Sequence, residues 1–152
     1  MEADFAYAIG YGEAGMSTIY RVPTTGGVVT RMTTVPSSGG EAIIRSRSGD
    51  LFVGTQFSGN IWRIPMGTGT PEVFVTLPGS PVGVEQLAED DRYLYVTSCA
   101  LNQVVRFDRT TRAMAVLVED TSGNPCLNGL VVTDTMIYYT RHFANDIWAM
   151  RK

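Results

Sequence analysis

The chain resembles itself about every 43 residues, and no other feature restricts its fold so strongly. A shift of 43 lays Leu51-Phe52-Val53 on Leu94-Tyr95-Val96 and on Ile137-Tyr138-Tyr139, and Tyr7-Ala8-Ile9 joins them at a shift of 44. A second segment repeats in step: Ile19-Tyr20-Arg21-Val22, Ile61-Trp62-Arg63-Ile64, Val104-Val105-Arg106-Phe107 and Ile147-Trp148-Ala149-Met150, at shifts of 42, 43 and 43. Ile44, Leu87 and Leu130 align ahead of the first segment, and Met32, Phe74 and Leu117 align behind the second. Each unit therefore carries four short segments. We name them A (41–47, 85–88, 128–133), B (50–55, 92–97, 136–140), C (the Ile/Val-aromatic-Arg segment) and D (28–33, 72–77, 113–118).

Segment C alternates its side chains. Tyr20, Trp62, Val105 and Trp148 point one way and Arg21, Arg63 and Arg106 the other, the two-residue period of a strand. Turn residues fall between the segments: Gly26-Gly27 and Gly67-Thr68-Gly69 between C and D, Ser48-Gly49-Asp50 between A and B, and Pro36, Pro78 and Pro125 between D and A. A composition of 44% apolar and 18% charged residues, with 16 Gly and 7 Pro, suits many short strands joined by tight turns. Helical repeats of this length need apolar residues at i, i+3 and i+4, which these segments lack.

Four short antiparallel strands per unit make an all-β protein built of β-propeller blades, because one such sheet buries both faces only when neighbours stack on it around an axis. The blade units are 1–33, 40–77, 82–118 and 126–152, about three and a half blades in one domain spanning 1–152. Propellers close with roughly four to eight blades. Three arrangements are open: a small ring with incomplete terminal blades, a homo-oligomer sharing a ring, and part of a longer propeller. The last two are preferred to the monomeric ring. Tyr20, Trp62 and Trp148 are expected to pack between blades.

Net charge is −3 and the arginines are scattered singly, so no basic stripe exists to neutralise phosphates and no nucleic-acid partner is expected. Apolar runs fall far short of the ~20 residues that cross a bilayer, so no membrane partner is expected. The start Met1-Glu2-Ala3-Asp4 has neither the basic nor the apolar part of an export leader, which points to the cytoplasm, or to secretion if a leader was removed. Cys99 and Cys126 allow one bridge or two buried thiols, the thiols being preferred.

In an antiparallel blade the D-to-A and B-to-C connections share one face of the disc. Onto that face fall Glu85, Asn128, Cys99, Cys126, Arg141 and His142. Pro125-Cys126-Leu127-Asn128-Gly129-Leu130, followed by Met136-Ile137-Tyr138-Tyr139-Thr140, resembles the inner-strand motif of the senescence marker protein/gluconolactonase superfamily. Strictosidine synthase-like proteins share this architecture, and the repeat is also similar to NHL and YWTD blades. The resemblance implies that Asn128, with acidic or amide residues of other blades, coordinates a divalent cation such as Ca²⁺ on the axis. Glu85 holds the equivalent register 43 residues earlier, and Ala42 departs from it one blade before, with Glu41 alongside. As plain alternatives, Asn128 is a turn residue, Glu85 a solvated channel residue and His142 a surface histidine.

Two functions follow. The first is a non-catalytic module binding a small molecule or a protein, which needs no special residues. The second is a metal-dependent lactonase, with Glu85 and Asn128 as metal ligands, Glu85 as the catalytic base and a metal-polarised lactone carbonyl attacked by water. The thin ligand set favours the first.

Overall fold

Strands joined by short turns pair with their neighbours in the chain, and every sheet here obeys that rule. The computed structural model describes residues 5–12, 14–79 and 82–152, and among these fourteen strands form four antiparallel sheets in sequence order. The first holds β1 (Phe5–Tyr11), β2 (Ser17–Pro23) and β3 (Thr30–Val35). The second holds β4 (Gly40–Arg45), β5 (Leu51–Thr55), β6 (Asn60–Ile64) and β7 (Glu72–Thr76). The third holds β8 (Gln86–Glu89), β9 (Tyr93–Ser98), β10 (Gln103–Asp108) and β11 (Met114–Glu119). The fourth holds β12 (Leu127–Val132), β13 (Met136–Arg141) and β14 (Asp146–Arg151). The four segments of the repeat are thus real strands in the expected order. The first sheet has B, C and D, the last A, B and C. The opening Met1-Glu2-Ala3-Asp4 lies outside the described residues.

The inner strands define the axis: β1 touches β4, β4 touches β8, and β8 touches β12. The second and third sheets approach closely enough that a Cβ at Gly54 in β5 would run into Val84 Cγ1, just ahead of β8.

Strand pairing corrects one detail of the repeat. Tyr7 lies opposite Arg21 as Phe52 lies opposite Arg63 and Tyr95 opposite Arg106. Tyr7 is therefore the counterpart of Phe52, one residue beyond the shift of 44 read from the sequence. A ladder register is fixed by which side chains must reach the core, which a similarity score does not weigh. With this register each sheet offers one aromatic to the next: Tyr7, Phe52, Tyr95 and, in the last sheet, Tyr138.

The core is a row of three layers between sheets. Ile19 and Val35 meet Leu51, Val53, Trp62 and Ile64 in the first. Phe52, Ile61 and Phe74 meet Leu94, Val96, Val105 and Phe107 in the second. Tyr95 and Val104 meet Leu130, Ile137 and Tyr139 in the third. Trp62 is buried as expected, but Trp148 is half exposed, because β14 is the outer edge of a sheet with no D strand beside it. Tyr20 lies on the face turned away from the second sheet, since it pairs with Ala8 while Ile19, one residue away, enters the first core layer.

Ionic ties hold the opposite end of the disc. Asp90 accepts from the Tyr93 N–H at 2.7 Å, the Tyr95 hydroxyl at 2.7 Å and the Arg92 N–H at 2.9 Å, and pairs with Lys152 at 2.5 Å. Burial opposes its charge, yet these partners outweigh burial and hold the carboxyl well below the usual aspartate range. Arg109, in the turn between β10 and β11, pairs with Glu89 at 3.2 Å.

Candidate functional site

Strand A begins at the end of the disc where B finishes, so Glu85 and Asn128, at the mouths of β8 and β12, arrive together although 43 residues separate them. Asn128 Nδ2 donates to Glu85 Oε2 at 3.5 Å. Both side chains are half-buried. Glu85 is anchored through its own N–H, which donates to the Thr97 carbonyl at 3.0 Å. Asn128 is anchored by the Thr97 hydroxyl, which donates to its carbonyl, and the following N–H of Gly129 donates to Thr140 Oγ1 at 2.7 Å. Glu85 Oε1 occupies the space that a Cβ at Gly83 would need, so a bare backbone lets the carboxylate fold inward.

Burial, and then the Glu41 carboxylate, push the Glu85 carboxyl above its ordinary value, with His142 acting in the opposite direction. Glu41, which the repeat alone sets one place out of register, acts on Glu85 through its charge. A bulge in β4 between Gly40 and Ala42 explains it, because a bulge removes one residue from the ladder and re-aims its side chain. A carboxyl with a raised value favours folding fully below the ordinary glutamate range, and that contribution fades as pH rises through the raised value. Glu85→Gln is therefore expected to flatten the decline in melting temperature on going upward from about pH 4.5. Melts at stepped pH check this, and an unchanged profile would remove the coupling.

Cys99 and Cys126 form a disulfide, which corrects the expectation of two thiols. The Cys126 N–H donates to Asn102 Oδ1 at 2.9 Å, and Cys126 takes a left-handed backbone with φ 53°. That conformation brings its Cα to 4.0 Å from Cys99, a turn geometry that the sequence does not announce. The same segment carries the last B-to-C connection. His142 N–H donates to the Cys126 carbonyl and Phe143 N–H to the Pro125 carbonyl, both at 3.0 Å, and residues His142–Ala144 form a single 3-10 turn. His142 is exposed, as a surface histidine would be.

Arg141 is committed elsewhere. It pairs with Asp120 at 2.8 Å and Asp146 at 3.2 Å, and donates to Ser122 Oγ at 2.7 Å. It walls a cavity of about 410 Å³ with Tyr139, Trp148 and the 118–122 segment. It ties the last two sheets together.

The face also carries aromatic tips that the sequence reading passed over. Tyr11, at the end of β1, is 76% exposed, Phe57 in the next B-to-C connection is 62% exposed, and Phe143 in the last is 61% exposed. Leu101 holds the corresponding turn of the third sheet and is partly buried. The signal available in the sequence was position: each follows a B strand, where a loop tip would ordinarily be polar.

A hard divalent cation takes about six to eight oxygen ligands. Here one carboxylate and one side-chain amide converge, and among the described residues no group of three or more His, Cys, Asp or Glu draws together to hold an ion. The residues present do not fit such a shell.

No family model matches the chain, and no curated protein matches it. Among solved structures it is similar to virginiamycin B lyase from Staphylococcus aureus, with 15% identity over 93% of this chain and 54% of that one and a TM-score of 0.68. It is similar to a chain of a nidogen/laminin complex, with 13% identity over 97% of this chain and 58% of that one and a TM-score of 0.77. A third is an auxiliary nutrient binding protein from Bacteroides thetaiotaomicron VPI-5482, with 12% identity over 94% of this chain and 44% of that one and a TM-score of 0.70. The chain is a partial β-propeller. At these identities the likeness concerns the fold, and the chain spans about half the length of these three structures. The superposition agrees with the propeller-blade architecture expected from the repeat.

Proposed function

We propose that this partial propeller is a non-catalytic binding module whose B-to-C face docks a protein segment. The observation that carries the reading is the exposure of Tyr11, Phe57 and Phe143 on one face. Aromatics are the residue types that anchor protein interfaces, and here three are presented on one face. Three tips on three separate sheets favour an extended partner over a compact small molecule, with the half-buried Glu85–Asn128 pair as the polar centre. The disulfide favours an oxidising compartment over the cytoplasm. The names of two similar structures, a nidogen/laminin complex and a nutrient binding protein, belong to binding proteins and support the class without defining a partner.

Peptides selected from a displayed random library against this chain, then titrated, are expected to lose at least about tenfold in affinity in the Phe57→Ala/Phe143→Ala double variant. Binders indifferent to both aromatics would end the reading. The lactonase reading keeps one observation, the Glu85–Asn128 contact at the axis. Gluconolactone turnover that requires Ca²⁺, Mg²⁺ or Zn²⁺, and is abolished by Glu85→Gln, would put it first.

A further inference from the structure

The blade stack ends in two different uncovered faces. Every internal interface mates the same two surfaces. One presents Tyr7 and Ile19, Phe52 and Ile61, or Tyr95 and Val104; the other receives them with Val53 and Trp62, Val96 and Val105, or Ile137 and Tyr139. The last sheet carries the presenting surface again, with Tyr138 in the place of Phe52 and Tyr95 and Ile147 in the place of Ile61 and Val104. Among the described residues nothing covers it: Ile147 is 72% and Val131 58% exposed, and with Tyr138 they line an apolar hollow of about 310 Å³. The first sheet carries the receiving surface, with Ala8 opposite Tyr20 and Ala6 opposite Val22, turned away from the second sheet.

We propose that a second copy of this chain closes the ring head to tail, its first sheet seated on Tyr138 and Ile147 and its last sheet on Ala8 and Tyr20. One leftover face of each kind excludes a self-matching, back-to-back contact and calls for a heterologous one, which either closes into a ring or runs on as a filament. Two copies bring twice the four sheets of one chain, within the roughly four to eight blades at which propellers close. They also supply about the length of two of the similar solved structures, of which one chain spans 54% and 58%. Closure sets two copies of the aromatic-tipped face around one axis; the inference stands independently of what that face binds.

Native mass spectrometry and light scattering of the 152-residue chain are expected to show twice 16.6 kDa. Ile147→Lys and Ala8→Glu each alter an exposed position outside the core, so the blades stay folded, and each variant alone is expected to run as a monomer. Mixing the two variants is the decisive step. In a head-to-tail pair, one interface collects both substitutions and the other is restored to the original, so the mixture is expected to regain a two-copy species through that intact interface. A monomeric unaltered chain would overturn the proposal, as would an open series of larger species. So would loss of the pair in Ile147→Lys but not in Ala8→Glu, the signature of a back-to-back contact. Retained β-sheet circular dichroism in both variants separates loss of association from loss of fold.

Discussion

Replacing Phe52 with alanine is expected to destabilise the chain by about 3–5 kcal/mol, the usual cost of emptying a buried aromatic site. The side chain is almost wholly buried in the middle core layer, and its ring meets Phe74 edge-on with centroids 4.8 Å apart. Two losses combine: the apolar area of the ring, and the edge-to-face contact, which adds roughly 0.5–1.5 kcal/mol. The layer has little means to collapse, because both flanking sheets are fixed by their own ladders and by further sheets outside them. Urea denaturation measures the effect as a lower midpoint. Phe57→Ala serves as the control, since that ring is exposed and its removal should change stability by only about 0.5 kcal/mol. A loss below about 1 kcal/mol at Phe52 would mean that the sheets do not stack as described.

Opening the Cys99–Cys126 bridge is expected to cost about 3.5 kcal/mol, from the chain-entropy relation for cysteines 27 residues apart. For a chain of this size that corresponds to a fall in melting temperature of about 10 °C. The bridge joins the connection after β9 to the connection before β12, so it staples the third blade to the fourth, a terminal blade that only one neighbour in the chain supports. Thermal melts with and without reductant, and of Cys99→Ser/Cys126→Ser, give the measurement. A change of less than about 2 °C would show that the staple carries no strain-bearing role in the fold. Since Phe143 hangs from the Pro125 carbonyl beside the bridge, reduction is also expected to weaken peptide binding at the B-to-C face.

The blade architecture was legible because it rests on local rules repeated four times. The two-residue alternation around Trp62 and Val105, and the glycines and prolines at the turns, are properties of a few consecutive residues. Repetition then separates them from chance. The Glu85–Asn128 pair was legible for the same reason, as two positions one period apart on inner strands. What escaped was whatever depended on a departure from the period. Glu41 reaches the site through a bulge, Cys126 reaches Cys99 through a left-handed residue, and Arg141 turns to Asp120 because the intervening link brings that carboxylate across. The aromatic tips escaped differently: Phe57 and Phe143 stand two periods apart, but only exposure distinguishes Phe57 from a core aromatic such as Phe52.

The amino-acid sequence by itself determined the strands, their order and the sense in which each sheet offers one face to the next, since these follow from hydrophobic period and turn chemistry along the chain. Only the tertiary structure decided which of those faces are satisfied. Tyr95 and Tyr138 occupy one register, yet the first is buried and the second exposed, because burial belongs to the neighbour that arrives and not to the residue itself. The disulfide and the Glu41–Glu85 field were settled at the same level, by distances between segments that no local pattern encodes.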